Sequence, residues 1–489
     1  IQSNMRNSKF KIYTALCLMM LSGLYSCKKS FLEVDPKGKL IAKNTNDYNL
    51  ILNNGYFNST DIDGQIFLGD EVTSVQPYYD NMLTLKSKRY FQYADVIYEP
   101  NEDGSEFKAL MSQLYTYNIV INEVMGSQGG TDDVKKSYLA EALTNRAWIY
   151  FMLINYYGKP YNEATAATDP GFPVVKTSDV TQTKFERASV KAVYDFIVQD
   201  LQTAIPSLPV SAGNRIRVAK SAAEALLAKV YLFMGKYPEG LVQLNSAFSH
   251  LPTTYSVNLY DYNSTLAVGG AWGYNPVSSP LTYVLGVLTV NDNQELLFAK
   301  QFGNSYTFLA NDILLAPQTV ALYDGSKTGD LRLRFLGPNY FGGAPITAGA
   351  FRKVGPYATQ IGMCMPDMYL MKAELKARTG DVTGAKADLE AFRKNRMPVA
   401  NAGVNITDQT AMVKFIIDER TREFALQGYR WFDMRRLSVD PIFAGTTYKH
   451  QALSATGTVM ATFPLKPERL TLRFPEKVIT ANPGMVNNP

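Results

Sequence analysis

The chain has 489 residues, 46% hydrophobic and 19% charged, which supplies a large core and excludes a disordered chain. Its 49 Lys and Arg exceed its 44 Asp and Glu by a net charge of +5, and no run of five or more like charges occurs, so no nucleic-acid partner is expected. With two histidines and three cysteines, a His-based zinc site and a Cys–His nucleophile pair are both disfavoured, and no metal or cofactor is expected.

Met5 is the expected start of the chain. Arg6, Lys9 and Lys11 precede an apolar run from Ile12 to Ser26, 15 residues long, where a membrane-spanning helix needs about 20. Residues 1–26 therefore read as a signal peptide. The run closes at Leu24-Tyr25-Ser26-Cys27, a lipobox-like ending that makes Cys27 a lipidated mature N-terminus, held by two or more acyl chains. Cys17 leaves with the signal, Cys364 stands alone, and no intrachain disulfide is expected.

Residues 61–100 are rich in turns and aromatics outside any helical rhythm, the texture of a functional loop. From Glu106 the pattern turns helical. Phe107, Leu110, Leu114, Tyr117, Ile121 and Val124 step by three and four until Gly129-Gly130; Asp132-Asp133 then open a second helix through Leu139, Leu143, Ala147, Tyr150 and Ile154, stopped at Gly158-Lys159-Pro160. Val190, Val193, Ile197 and Leu201 mark a third helix, closed by Pro206 and Pro209, and a fourth follows.

Ala228, Gly235, Tyr237 and Gly240 repeat their spacing in Ala373, Gly380, Val382 and Ala385. This is a tetratricopeptide-like pattern in which small residues let two helices approach and glycine makes the turn. The expected fold is mainly α: a tetratricopeptide-like helical-hairpin scaffold with units at about 106–157, 190–248 and 366–437. Large irregular, loop-rich parts at about 61–100 and 249–358, with few short strands, carry the ligand surface. Asp330 and Arg332 at i,i+2 read as a turn brace.

Phe415 to Arg436 holds the densest charge. Ile417, Phe424 and Trp431 recur every seven residues, with Arg420 and Gln427 between them, so one helical stripe mixes apolar and charged groups. Asp418, Glu419, Glu423 and Asp433 are spaced to pair with Arg420, Arg422, Arg430 and Arg435. The expectation is a partly buried brace and no catalytic carboxylate site.

Glu419-Arg420, Glu423-Phe424, Gly428, Arg430-Trp431-Phe432-Asp433 and Arg435 resemble the C-terminal signature of the RagB/SusD family, with departures at Gln427 and Met434. Cys27 followed by Phe31-Leu32-Glu33 and Pro36 resembles the mature N-terminus of such proteins, as Arg146-Ala147-Trp148 resembles their helical wording and Pro475 to Pro483 loosely their C-terminal segment. The resemblance, which spans Cys27 to Pro483, implies a single SusD-like domain over 27–489. It further implies a lipid-anchored, surface-facing outer-membrane protein of Bacteroidetes type that passes an oligosaccharide or other nutrient to a SusC-like, TonB-dependent barrel transporter, without catalysis. Glu419, Arg420, Glu423, Arg430, Trp431 and Asp433 are then its structural signature.

Sugar rings bind on aromatic platforms edged by polar groups. Trp148 falls in a helix and Trp431 in the signature, leaving Trp272 as the loop tryptophan. Trp272, Tyr274 and Asn275 are therefore the expected platform, with Tyr78, Tyr79 and Asp80, or Asp70 and Glu71, as a second wall. The plainer reading of Trp272 is loop packing. A protein-binding adaptor and, less favoured, a glycan hydrolase are the alternatives; the Gly-x-Ser-x-Gly, P-loop and His-Glu-x-x-His motifs are absent.

Overall fold

The computed structural model describes residues 42–489 except 61, 273–289, 305, 306, 308 and 324–327. The signal segment, Cys27, Tyr274 and Asn275 lie outside the described residues.

Helices form where the three-four rhythm was read. They are α1 (Ser105–Glu123), α2 (Asp132–Tyr157), α3 (Val190–Ala204), α4 (Lys220–Phe233), α5 (Tyr237–Ser249), α6 (Met365–Arg378), α7 (Val382–Arg393), α8 (Gln409–Glu423) and α9 (Tyr429–Leu437). Several start on side-chain caps: Thr131, Ser189, Asp381 and Asp408 each accept a hydrogen bond from a backbone N–H of the first turn, which satisfies a donor that the helix cannot.

Every residue of α2 from Ala140 to Tyr157 is buried. A helix covered on all sides is a core helix, and its polar groups accordingly find partners. Arg146 donates to both oxygens of Asp200 on α3, at 2.7 and 2.8 Å, Glu141 accepts from Arg217 at 2.7 Å, and the Trp148 indole N–H reaches the carbonyl of Ile361 at 3.3 Å.

The repeat spacing has a direct physical reading. Gly235 and Gly380 turn their hairpins with φ of +73° and +91°, where a side chain would be strained. Ala228, Ala373 and Ala385 are fully buried. A Cβ on Gly240 would come 3.0 Å from Leu375 of α6, so glycine permits the two hairpins to stack. Across that seam the Arg378 guanidinium sits 4.7 Å over the Tyr237 ring.

The strands are short. β1 (Val72–Val75) is flanked by β2 (Leu314–Leu315) on one side and β3 (Lys449–Leu453) on the other, and β4 (Val459–Pro464) follows β3; β1 runs parallel to β3 and antiparallel to β2. Residues 61–100 thus depart from the expected ligand loop. All four residues of β1 are buried, covered on both faces, and such a strand shows no alternation to read in the sequence.

The Phe415–Arg436 stretch is also not one continuous helix. It breaks between Glu423 and Tyr429, with Leu426 at φ +58° and Gly428 at +78°, and a Cβ on Gly428 would lie 2.3 Å from Gln65. The break lets α9 fold back so that Arg420 meets Asp433, its nitrogen 3.0 Å from the carboxylate; in a straight helix 13 residues would separate the two by about 20 Å.

Candidate ligand-binding cleft

Most of the signature charges form a paired network; Arg435 is the exception, since it is fully buried, donates to the carbonyl of Gly158 at 2.6 Å and meets no carboxylate among the described residues. Arg420 bridges Asp433 at 3.0 Å and Asp367 of α6 at 2.8 Å, and Arg436 bridges Asp433 at 2.8 Å and Glu374 at 2.6 Å. Glu419 accepts hydrogen bonds from Arg393 and Arg422 at 2.5 and 2.6 Å, and Arg332 lies at ion-pair distance from its other oxygen, 2.7 Å. Burial alone would raise the carboxyls of Glu419 and Asp433; the guanidiniums around them overcome it and hold both far below the usual carboxylate range. Arg430 pairs with Asp70 at 2.6 Å, and Trp431 is fully buried. Glu423 pairs with Arg396 at 3.0 Å, so all six signature residues are packed or paired, and several partners lie far away in sequence.

The turn between α8 and α9 leaves that network as the wall of a cleft. The lining combines Glu423, Phe424, Gln427 and Tyr429 with Trp272, Tyr260, Tyr262, Phe335, Lys353 and Tyr357, around an empty space of ≈ 1320 Å³ that includes its opening to solvent. Trp272 packs 4.8 Å from the ring of Tyr260 and 5.7 Å from those of Tyr262 and Phe335, over buried Leu266 and Leu331. It is half-buried, so it both pins its loop and keeps a surface toward the cleft. Phe424 stacks on Tyr429 at 4.0 Å. Tyr357, in the same lining, is 46% exposed.

The polar lining is mostly committed. Arg396, behind the aromatic cluster, binds Glu295 at 2.7 Å and Glu423 at 3.0 Å. Arg332 binds Asp330 at 2.7 Å and Glu423 at 3.3 Å, which confirms the turn brace and extends it to α8. Burial raises the Glu295 carboxyl while Arg396 opposes it. The two cleft carboxylates share one guanidinium, so neither is placed as a free acid or base toward a substrate. Cys364 also lines the cleft, and burial pushes its thiol up to about 12, which disfavours the thiolate a nucleophile needs. Burial likewise draws the Lys353 ammonium down to about 8, with Glu423 pulling partly back.

The second wall expected from Tyr78, Tyr79, Asp80 and Asp70 is not part of this cleft. Tyr78 packs 4.7 Å from Tyr340, Tyr79 packs on Phe91 and Phe463 at 5.9 and 6.1 Å, and Asp80 accepts from Gln76 at 2.8 Å. Asp70 is held by Arg430 as above. Glu71 is buried, and burial and then Asp70 push its carboxyl up to about 8. Tyr78, Tyr79, Asp80 and Asp70 are thus taken by local contacts and the brace, and the Glu71 carboxyl is buried with no hydrogen-bond partner among the described residues; composition alone did not reveal either.

The cleft uses residues that the sequence reading missed. Tyr260 and Tyr262 could have been found as an aromatic pair in the same loop as Trp272. Lys353 carries no local signal at all, because its neighbours in the cleft come from distant segments. Among the described residues no group of three or more His, Cys, Asp or Glu could hold a metal ion, and no helix is long and apolar enough to cross a membrane.

Comparison with known proteins agrees with this architecture. Residues 30–232 match a family model described as "Starch-binding associating with outer membrane", and residues 360–489 match the model of the SusD family. A SusD-like protein of Formosa agariphila is 38% identical over 76 residues, 14% of this chain and 15% of that protein's length. A SusD superfamily protein of Bacteroides thetaiotaomicron superposes with a TM-score of 0.68 at 18% identity, covering 91% of this chain and 100% of that one. A laminarin binding SusD-like protein gives 0.59 at 17%, covering 91% and 99%.

Hairpin scaffold, brace and loop-borne cleft together define a mainly helical, tetratricopeptide-like protein with one large irregular face. The chain belongs to the SusD/RagB family.

Proposed function

We propose that this chain is a non-catalytic, outer-membrane, lipid-anchored protein that captures an oligosaccharide in the cleft around Trp272 and delivers it to a SusC-like, TonB-dependent barrel transporter. The observation that carries the reading is the aromatic lining: Trp272 and Tyr357 offer faces to a sugar ring, and Gln427, Asn293 and Lys353 stand in the same lining as polar edges. Family membership and the laminarin binding relative support a glycan as ligand, and the family model's association with the outer membrane supports the location. The lipobox-like ending at Cys27 supports the anchor, and the commitment of Glu295 and Glu423 to Arg396 supports binding without hydrolysis.

Titration calorimetry against a panel of oligosaccharides tests the capture step. At least one should bind with a Kd in the micromolar to millimolar range, and Trp272→Ala should weaken it about tenfold, the scale of losing one stacked ring. Unchanged affinity in that variant removes Trp272 from the site. Purification from outer membranes should recover a large barrel protein with this chain, and its consistent absence refutes the delivery role.

A further inference from the structure

Charge in the cleft lining is matched except at one place. Among the described residues the lining carries three cations, Arg332, Lys353 and Arg422, and two carboxylates, Glu295 and Glu423. Arg332 is held by Asp330, Glu419 and Glu423, and Arg422 by Glu419 at 2.6 Å. Both carboxylates are occupied by Arg396. Lys353 is different. It is 4% exposed, and its ammonium makes no hydrogen bond or ion pair with any described residue, although its backbone carbonyl accepts from Arg352 at 3.1 Å.

An ammonium on a largely buried side chain without a carboxylate partner is costly. The ladder that carries it, Leu336–Gly337 paired with Arg352–Lys353, holds it in the cleft wall beside Phe335 and the Gly355–Tyr357 turn. Glu423 is near enough to act on it electrostatically but already serves two arginines. What remains unfilled at Lys353 is an anion, and the cleft is the side from which one can come.

We infer that the cleft selects an acidic saccharide, with Lys353 taking the carboxylate or sulfate of a sugar ring that stacks on the aromatic lining. This rests on the reading of the cleft as the glycan site. A planar carboxylate or a sulfate offers oxygens that an ammonium can meet with two or three donors, in a wall where the opposing carboxylates are already neutralised. A neutral sugar would leave the ammonium without a counter-charge, so its binding would forgo that interaction.

The test is calorimetry at constant ionic strength with oligosaccharides of matched length: neutral β-glucan, galacturonate and sulfated galactan. Wild type, Lys353→Met, Lys353→Arg and Trp272→Ala are compared. Wild type should bind at least one acidic oligomer tenfold or more tighter than the neutral one. Lys353→Met should erase that preference, Lys353→Arg should retain part of it, and Trp272→Ala should weaken all binding in common. Preference for galacturonate or for the sulfated oligomer identifies which anion the site takes, and either supports the inference. It is overturned if no acidic oligomer binds, if the neutral oligomer binds as tightly, or if the preference survives Lys353→Met. Loss of binding in Trp272→Ala with no effect of Lys353→Met discards the acidic ligand and keeps the glycan site; binding indifferent to Trp272→Ala discards both.

Discussion

The brace of α8 and α9 and the cleft wall that grows out of it treat buried charge in opposite ways. In the brace, Asp433, Asp367, Glu374 and Glu419 each meet two or more cations at ion-pair distance. In the cleft, Lys353 meets no carboxylate at ion-pair distance among the described residues. Matched charge holds elements together and makes little demand on anything outside the protein; an unmatched charge in a cleft wall costs stability and leaves room for a counter-charge from outside. The difference separates two jobs that lie side by side in the same turn of chain.

The largest effect should come from breaking the brace. Arg420→Ala leaves Asp433 and Asp367 buried with one partner each, Arg436 and Lys229, and should lower stability by about 3 kcal/mol, the low end for a broken buried pair, measured by urea unfolding. Loss of ligand binding at unchanged stability would contradict the division between brace and cleft. The same variant should shift acid unfolding to higher pH. The folded-state carboxyls of Glu419 and Asp433 are depressed, so their stabilisation is present above the unfolded values near about 4 and lost as pH falls below them. With Arg420 gone, Asp433 protonates sooner.

Next in size is the break between the two helices. Gly428→Ala places a side chain at positive φ against Gln65 and should cost about 1–3 kcal/mol. If it costs nothing, the turn that joins brace to cleft is not held as described.

Lys353→Met should act with the opposite sign. Replacing an unpaired buried ammonium by an apolar chain of similar length should raise stability by about 1 kcal/mol, seen as a higher urea midpoint. Because burial depresses the folded-state pKa to about 8, the cost of charging this group is fully present below that pH and is relieved as pH rises toward the unfolded value near about 10. The gain from the methionine should therefore shrink above pH 8. A destabilised variant would show that Lys353 is matched after all. The smallest effect belongs to an exposed pair outside both regions: Lys191→Ala, which removes a partner of Asp195 on α3, should leave the unfolding curve unchanged.

The helical scaffold was legible because its signals are local. The three-four rhythm of Phe107 to Val124 and of Val190 to Leu201, and the glycines at 235 and 380, each specify a conformation within a few residues of themselves. The cleft was legible only at Trp272, by elimination. Tyr78, Tyr79 and Asp80 have the composition of a binding loop, yet their partners are Tyr340, Phe91, Phe463 and Gln76. Val72 to Val75 looked irregular because a strand buried on both faces shows no alternation.

For the stretch from Phe415 to Arg436, the amino-acid order alone determined that most charges would be paired and that helix would dominate, since both follow from residue type and spacing; it did not show that Arg435 would meet only the carbonyl of Gly158. It did not determine which charges would meet. Glu419 to Arg332, Arg420 to Asp367 and Arg430 to Asp70 join residues 53 to 360 positions apart, and Leu426 and Gly428 at positive φ turn one apparent helix into two. Only the tertiary structure decided that Lys353 would be left without a carboxylate partner among the described residues. Desolvation and ion pairing are properties of a packed neighbourhood, and that neighbourhood is assembled from segments that carry no mark of one another in the sequence.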